Sequence, residues 1–301
     1  MTDHPDRRQG LAAGISAYAL WGLFPLYWPL LKPAGAFEIL AQRIVWSFLF
    51  VLVLLLVLRA SWRWVPMVFD RRVAPRLVAM SVLVAINWVT YILAVNTGHV
   101  VETSVGYFIN PLVSVALGVL LFKERLDLVG RIGVAFAFAG VAVLAWGSLG
   151  TLWISLTLAF SFGLYGVAKK RAPLPALPGL LVESTVLLLP ALAFLIYLGV
   201  TGGAQFGRAL PTDVLMAFSG PATVLPLWLF ALATVRLTLG TVGILQYLAP
   251  TTQFILGITL FGQQVSAAYW AGLVLVWVGC AVYLFDTLRG TGGRGTVAPQ
   301  S

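Results

Sequence analysis

Ten runs of about twenty predominantly apolar residues follow one another along this chain, and about twenty is the length a helix needs to cross a bilayer. They fall near 10–31, 37–58, 75–97, 102–121, 128–147, 150–168, 178–200, 212–234, 241–261 and 266–286. Hydrophobic residues make up 60% of the sequence and charged ones 10%, where soluble domains average about 45–50% and about 25%. A core of that size cannot be hidden inside 301 soluble residues, so lipid must solvate much of it. The fold class is therefore an all-α polytopic membrane protein of ten transmembrane helices. Pro25, Pro29, Pro190, Pro221 and Pro226 lie inside spans, which membrane helices tolerate because neighbours re-satisfy the freed backbone groups.

The loops test the count. With the N-terminus inside, the inner loops and helix ends collect Arg7, Arg8, Arg59, Arg63, Arg71, Arg72, Arg76, Lys123, Arg125, Arg131, Lys169, Lys170, Arg171, Arg236, Arg289 and Arg294. The outer loops hold only Lys32 and Arg208, and Arg43 stays inside a span. One missed helix would scramble so strong a positive-inside bias. Both termini are thus expected in the cytoplasm, in a multi-pass protein of the inner (plasma) membrane. The net charge of +9 belongs to this pattern rather than to nucleic-acid binding. Arg7 and Arg8 before an apolar run imitate a signal peptide, but the run is too long for one and is expected to remain as the first span. The single Cys280 lies in an apolar run and says nothing about redox compartment.

The stretch from Asn87 to Lys123 carries a polar knot, Asn96 to Thr103, and then a helix broken by Asn110-Pro111. A similar helix returns near the other end, with Pro250 for Pro111, Gly257 for Gly118 and Phe261 for Phe122 at one constant offset. Spans five and ten match at the same offset, Gly133 to Gly272 and Gly140 to Gly279. Spans one and six pair Gly22-Leu23 with Gly163-Leu164, and spans two and seven place Glu38 opposite Glu183. A unit with an odd number of spans, once duplicated, enters the membrane the opposite way round. The expected organisation is two inverted five-helix repeats, 10–147 and 150–286, and a disordered cytoplasmic tail over 287–301. Inverted repeats are the architecture of transporters whose halves rock about a midplane site.

Ionisable groups within lipid are costly and mark functional candidates. Arg43 is the one clear intramembrane base; as a structural tie or as a binding or gating residue, it needs a partner on another helix. Glu38 stands about 140° from it around the same helix, so the two do not pair. Near a helix start, Glu38 also suits the positive dipole end. Glu183 lies deeper, beside Ser184 and Thr185, and is the proton-coupling candidate. Asn87, Trp88, Tyr91 and Asn96 form one face of span three. Tyr107, Asn110 and Pro111 on span four are answered by Gln246, Tyr247 and Pro250 on span nine. Facing a shared cavity, these groups would bind a polar or aromatic solute without fixed charge; the plain alternative is hydrogen bonding between helices. The glycines seven apart in spans five and ten read as packing seams.

Catalytic constellations are absent. His4 and His99 are the only histidines, and the sequence has no Cys/His metal spacing, no dinucleotide fingerprint and no Walker lysine motif. No catalytic residue, metal or cofactor is expected, and any driving energy comes from an ion gradient or from the solute's own.

The pieces RQG…AYALWGLFPLY, EILAQRIVWSF, NW…AVN, ETSVGYFINPLVSVALG, LAFSFGLYGVAKK and QYLAPT resemble the EamA-type drug/metabolite transporter superfamily, most closely its RarD group, from about Gln9 to Asp286. The resemblance implies ten spans in two inverted repeats, an inner-membrane location and transport of small metabolites or drugs. RarD members carry a chloramphenicol-sensitivity label. On matching motif positions it marks Glu38, Arg43, Tyr107, Asn110 and Pro111. The second half departs from the family pattern: Phe122-Lys123-Glu124 has its acidic residue, whereas Phe261-Gly262-Gln263-Gln264 does not.

The expected function is a secondary transporter moving a small organic solute by alternating access, with export as the expected direction. Its expected partners are that solute and the bilayer, and the sequence leaves the oligomeric state open. A membrane scaffold or sensor subunit and a polytopic lipid-modifying enzyme are the alternatives; the enzyme would need an acidic or histidine cluster at one membrane face.

Overall fold

The computed structural model describes residues 4–96, 100–124, 126–146, 152–260 and 267–289. The helices are α1 (His4–Gly22), α2 (Phe24–Tyr27), a 3-10 turn (Trp28–Leu31), α3 (Ala36–Val57), α4 (Val65–Val68), α5 (Ala74–Asn96), α6 (Val100–Phe122) and α7 (Leu128–Trp146). There follow α8 (Leu152–Lys170), α9 (Ala176–Val200), α10 (Leu210–Arg236), α11 (Leu239–Leu245), α12 (Leu248–Thr259) and α13 (Ala267–Arg289). The described chain is all-helical.

Among the described residues, eight segments are long and apolar enough to cross a membrane: Asp6–Leu31, Ala36–Val57, Ala74–Ala94, Val105–Phe122, Leu128–Trp146, Leu152–Lys170, Ala176–Val200 and Leu210–Arg236. Each coincides within a few residues with an expected span. The stretch expected as a ninth span falls on α11 and α12, and that expected as a tenth falls on α13, where a shorter apolar helix runs Ala267–Tyr283. α13 continues to Arg289, so residues 287–289, expected in a disordered tail, are helical; the rest of that tail lies outside the described residues. Phe261 and the Gly262-Gln263-Gln264 departure fall outside the described residues.

Proline explains the two interrupted spans. It has no N–H and its ring crowds the carbonyl four residues back. The first span is continuous only to Gly22; Pro25 and Pro29 sit at the starts of α2 and the 3-10 turn. The Trp21 carbonyl, which Pro25 cannot serve, accepts instead from Gln253 Nε2 of α12 at 3.0 Å. This is the neighbour rescue that keeps proline tolerable in a membrane helix. Pro250 acts likewise: the helix stops at Leu245, and Tyr247 and Ala249 N–H bond to carbonyls three residues back. Pro111, by contrast, lies within the unbroken α6.

Glycine sets the closest helix approaches. α7 and α13 lie backbone to backbone, where a Cβ on Gly133 would stand 2.8 Å from the Gly279 carbonyl and one on Gly272 3.0 Å from that of Gly140. α6 packs on α8 with Gly163 against Val113 and Gly106 against Ser155. α1 packs on α11 and α12 with Gly22 against Thr252 and Gly14 against Leu245. Among the remaining pairs, α3 meets both α9 and α10, α5 meets α8 and α9, and α1 meets α10. The largest buried cluster, with Tyr18, Tyr165 and Phe230 at its centre, joins α1, α8 and α10.

Candidate functional site

Arg43 lies on the second turn of α3, half-buried among helices. Its Nε–H donates to Thr223 Oγ1 on α10 at 3.1 Å. The guanidinium carbon stands 4.4 Å from the Trp88 ring centre and 5.2 Å from that of Trp28. Both distances are within cation–π range. Trp28 reaches this position because Pro29 tightens the chain into a 3-10 turn beneath it. The Tyr91 and Tyr107 rings meet at a tilt with centres 5.9 Å apart, and together with Tyr27 they lie within electrostatic range of the arginine. The Tyr27 hydroxyl donates to the Leu215 carbonyl of α10. Arg43 thus sits in an aromatic cage built by α3, the 3-10 turn, α5 and α6, closed by one hydroxyl from α10.

Among the described residues, no carboxylate joins it. Glu38 Oε1, buried near the start of α3, accepts from the backbone N–H groups of Gln205 at 2.7 Å and Phe206 at 3.0 Å. Glu183 pairs with Lys169 at 2.6 Å, both side chains nearly sealed from solvent, and its Oε2 accepts from Tyr165 at 2.9 Å. Two cavities flank this ion pair. One of about 20 Å³, room for a water molecule, is lined by Ser47, Trp88, Glu183, Ser184 and Thr223. The other, of about 230 Å³, is lined by Lys169, Gly179 and Arg236. The first cavity shares Trp88 and Thr223 with the arginine cage and Glu183 with the ion pair, so the cage, Glu183, Lys169 and the second cavity form a series of neighbours.

The remaining candidates separate into two groups. Trp88, Tyr91 and Tyr107 belong to the cage. Asn87 turns to α8, where its Nδ2 donates to the Leu158 carbonyl at 2.9 Å and to Ser161 Oγ at 3.1 Å. Asn110 is buried on α6, and Gln246 and Tyr247 are buried at the α11–α12 break against α6. There Gln246 Nε2 donates to Ser114 Oγ at 3.1 Å, and the Pro111 carbonyl faces Gly243. Pro250 sits at the start of α12. Asn96 ends α5, and its side chain lies outside the described residues.

Two residues without a sequence signal enter here. Lys169 carries a charge that the loop pattern assigns to a membrane surface, yet it is buried against Glu183. Thr223, an ordinary hydroxyl within a long span, holds Arg43. A second carboxylate clamp also appears: Glu124 Oε1 and Oε2 accept from the N–H groups of Leu239 at 2.6 Å and Gly240 at 2.9 Å, with Lys170 Nζ at 3.8 Å. Lys123, in left-handed conformation at φ 54°, turns the chain so that Glu124 folds back onto α11.

Residues 8–146 match the family model described as EamA-like transporter family. The chain is 45% identical over 287 residues to Protein RarD of Streptomyces exfoliatus, covering 94% of this chain and 90% of that protein. It is 44% identical over 285 residues to an uncharacterized transporter of Pseudomonas aeruginosa, covering 94% and 95%. A protein of known crystal structure superposes with a TM-score of 0.69 at 18% identity, covering 91% of this chain and 98% of that one, a likeness of fold alone.

Proposed function

Because the chain belongs to the EamA-like transporter family, and within it to the RarD group, we propose that it is a secondary transporter. It exports a small organic solute across the bacterial inner membrane by alternating access, with both termini in the cytoplasm. Ten spans form two inverted repeats, 10–147 and 150–286, with α11 and α12 counted as one broken span. Glu38, held on the amides of Gln205 and Phe206, is a gating residue, and the solute site is the Arg43 cage with Trp88, Tyr91 and Tyr107. Asn87, Asn110, Pro111, Gln246, Tyr247 and Pro250 tie the helices around it.

One observation carries this reading: the helix contacts survive exchange of the two halves. The sequence offsets map Gly22 to Gly163 and Thr252 to Val113, and the contact Gly22–Thr252 becomes the contact Gly163–Val113. Gly14–Leu245 becomes Ser155–Gly106, and Gly133–Gly279 becomes Gly272–Gly140. A two-fold axis in the membrane plane produces such reciprocity, and it lets the halves rock without changing their contacts in kind.

Glu183 is the coupling group. Its carboxylate holds Lys169 between the two cavities, so protonation would release the ammonium and open the series toward the second cavity. Counterflow and pH-gradient uptake in proteoliposomes over a metabolite panel test the proposal. Solute movement accelerated by a proton gradient is expected in the wild type. The double variant Lys169→Met/Glu183→Gln should keep counterflow and lose the acceleration. Absence of counterflow across the panel would reject transport; an unchanged gradient response in the double variant would reject Glu183.

A further inference from the structure

We infer that the solute bound at the Arg43 cage carries a carboxylate on a planar, apolar body; the inference rests on the transport reading of that site. The geometry leaves one kind of partner. A guanidinium has two faces and a forked edge of five N–H donors. The Trp88 and Trp28 ring centres lie 4.4 and 5.2 Å from the guanidinium carbon, within cation–π range, and Thr223 Oγ1 takes the Nε–H. The remaining four N–H groups, on Nη1 and Nη2, have no hydrogen bond within the described residues. They form the edge that matches a carboxylate with two parallel bonds.

Charge leads to the same chemistry. A positive group partly withdrawn from water between helices favours a counter-charge. The two buried carboxylates among the described residues are engaged elsewhere: Glu38 on the amides of Gln205 and Phe206, Glu183 on Lys169 and Tyr165. Tyr27, Tyr91 and Tyr107 are phenols, neutral at pH 7 by their ordinary ionisation, so they supply ring surface and hydroxyls but no anion. Among the described residues, the cage therefore carries a positive charge that no carboxylate answers.

The walls decide the rest of the solute. Tyr91 and Tyr107, tilted by 47° at 5.9 Å, stand next to the arginine, and aromatic rings favour a flat apolar body at such spacings. This replaces the uncharged solute that the amides and phenols suggest in the sequence. Asn87, one of the amides behind that expectation, bonds α8 instead.

The test is titration calorimetry on the purified full-length chain in nanodiscs, with benzoate, phenylacetate and indole-3-acetate, each against its primary amide. At least one acid should bind saturably, with its amide weaker by about tenfold or more, the loss of a charge-assisted pair. Arg43→Gln should lower acid affinity to the level of the amide, while Arg43→Lys, which keeps charge but not the fork, should fall between. Cooperative melting of each variant establishes that it is folded; should Arg43→Gln not melt cooperatively, Arg43→Lys and Thr223→Val carry the comparison. Equal affinity for acid and amide, no binding of any acid, or unchanged acid affinity in the folded variants would overturn the inference. The two readings fail separately: an acid that binds without counterflow rejects transport, and counterflow of a neutral solute untouched by Arg43→Gln rejects the anion.

Discussion

Lys169 and Glu183 place opposite charges where water scarcely reaches, with side chains 4% and 6% exposed. Removing one partner of such a pair leaves the other buried and uncompensated, at a cost of about 3–5 kcal/mol. Glu183→Gln or Lys169→Met alone should therefore lower the melting temperature of the purified protein sharply. The double variant should recover most of the loss, because no orphan charge remains. A mild effect of either single change would mean that the pair is hydrated. Asn87 poses a gentler case. Its amide bridges α5 to α8 through Leu158 and Ser161, and contacts of this kind within a membrane contribute about 1 kcal/mol or less. Asn87→Ala should show a destabilisation of that size in reversible denaturant unfolding, with solute affinity intact.

At the scale of helices, α7 and α13 depend on glycine more than any other pair. Alanine at Gly133 or Gly279 would put a methyl group into the facing backbone, and overpacking of this sort costs about 1–3 kcal/mol. Gly199, near the end of α9, has nothing within 4 Å of a built Cβ, so Gly199→Ala should leave the melting temperature unchanged. Equal melting temperatures for all three variants would show that the seam can relax. The proline breaks belong to this scale too. In α1 and α11–α12 they interrupt the helix, and in α6 the same residue type is absorbed. A repeated motif need not give a repeated conformation, because the neighbours available to each freed carbonyl differ.

Across the whole molecule, two carboxylates of the first half hold backbone amides of the second at opposite ends of the bundle. Glu38 holds Gln205 and Phe206 near the start of α3; Glu124 holds Leu239 and Gly240 past the end of α6. If the halves rock, loosening one clamp favours opening at that end only. In a Cys280→Ser background, a reporter substitution Thr223→Cys should label faster from the periplasmic side in Glu38→Gln. From the cytoplasmic side it should label faster in Glu124→Gln. Right-side-out and inverted vesicles separate the two, and faster labelling from one side in both variants would remove the rocking interpretation.

Hydropathy read along the chain placed the helices closely: 37–58 against Ala36–Val57, and 212–234 against Leu210–Arg236. It also singled out Arg43 and Glu183, since a charge in an apolar run stands out without any structure. Lys169 did not stand out, because near a helix end its charge resembles an ordinary surface anchor. Nor could the face of α5 be divided between Asn87, which bonds α8, and Trp88, which covers Arg43. Helix length, missing proline donors and intramembrane charges are local properties, and chain order displays them. Which side chains meet depends on the rotation and depth of each helix against its neighbours. Those are set by close packing at residues such as Gly133 and Gly279, and no single stretch of sequence contains them.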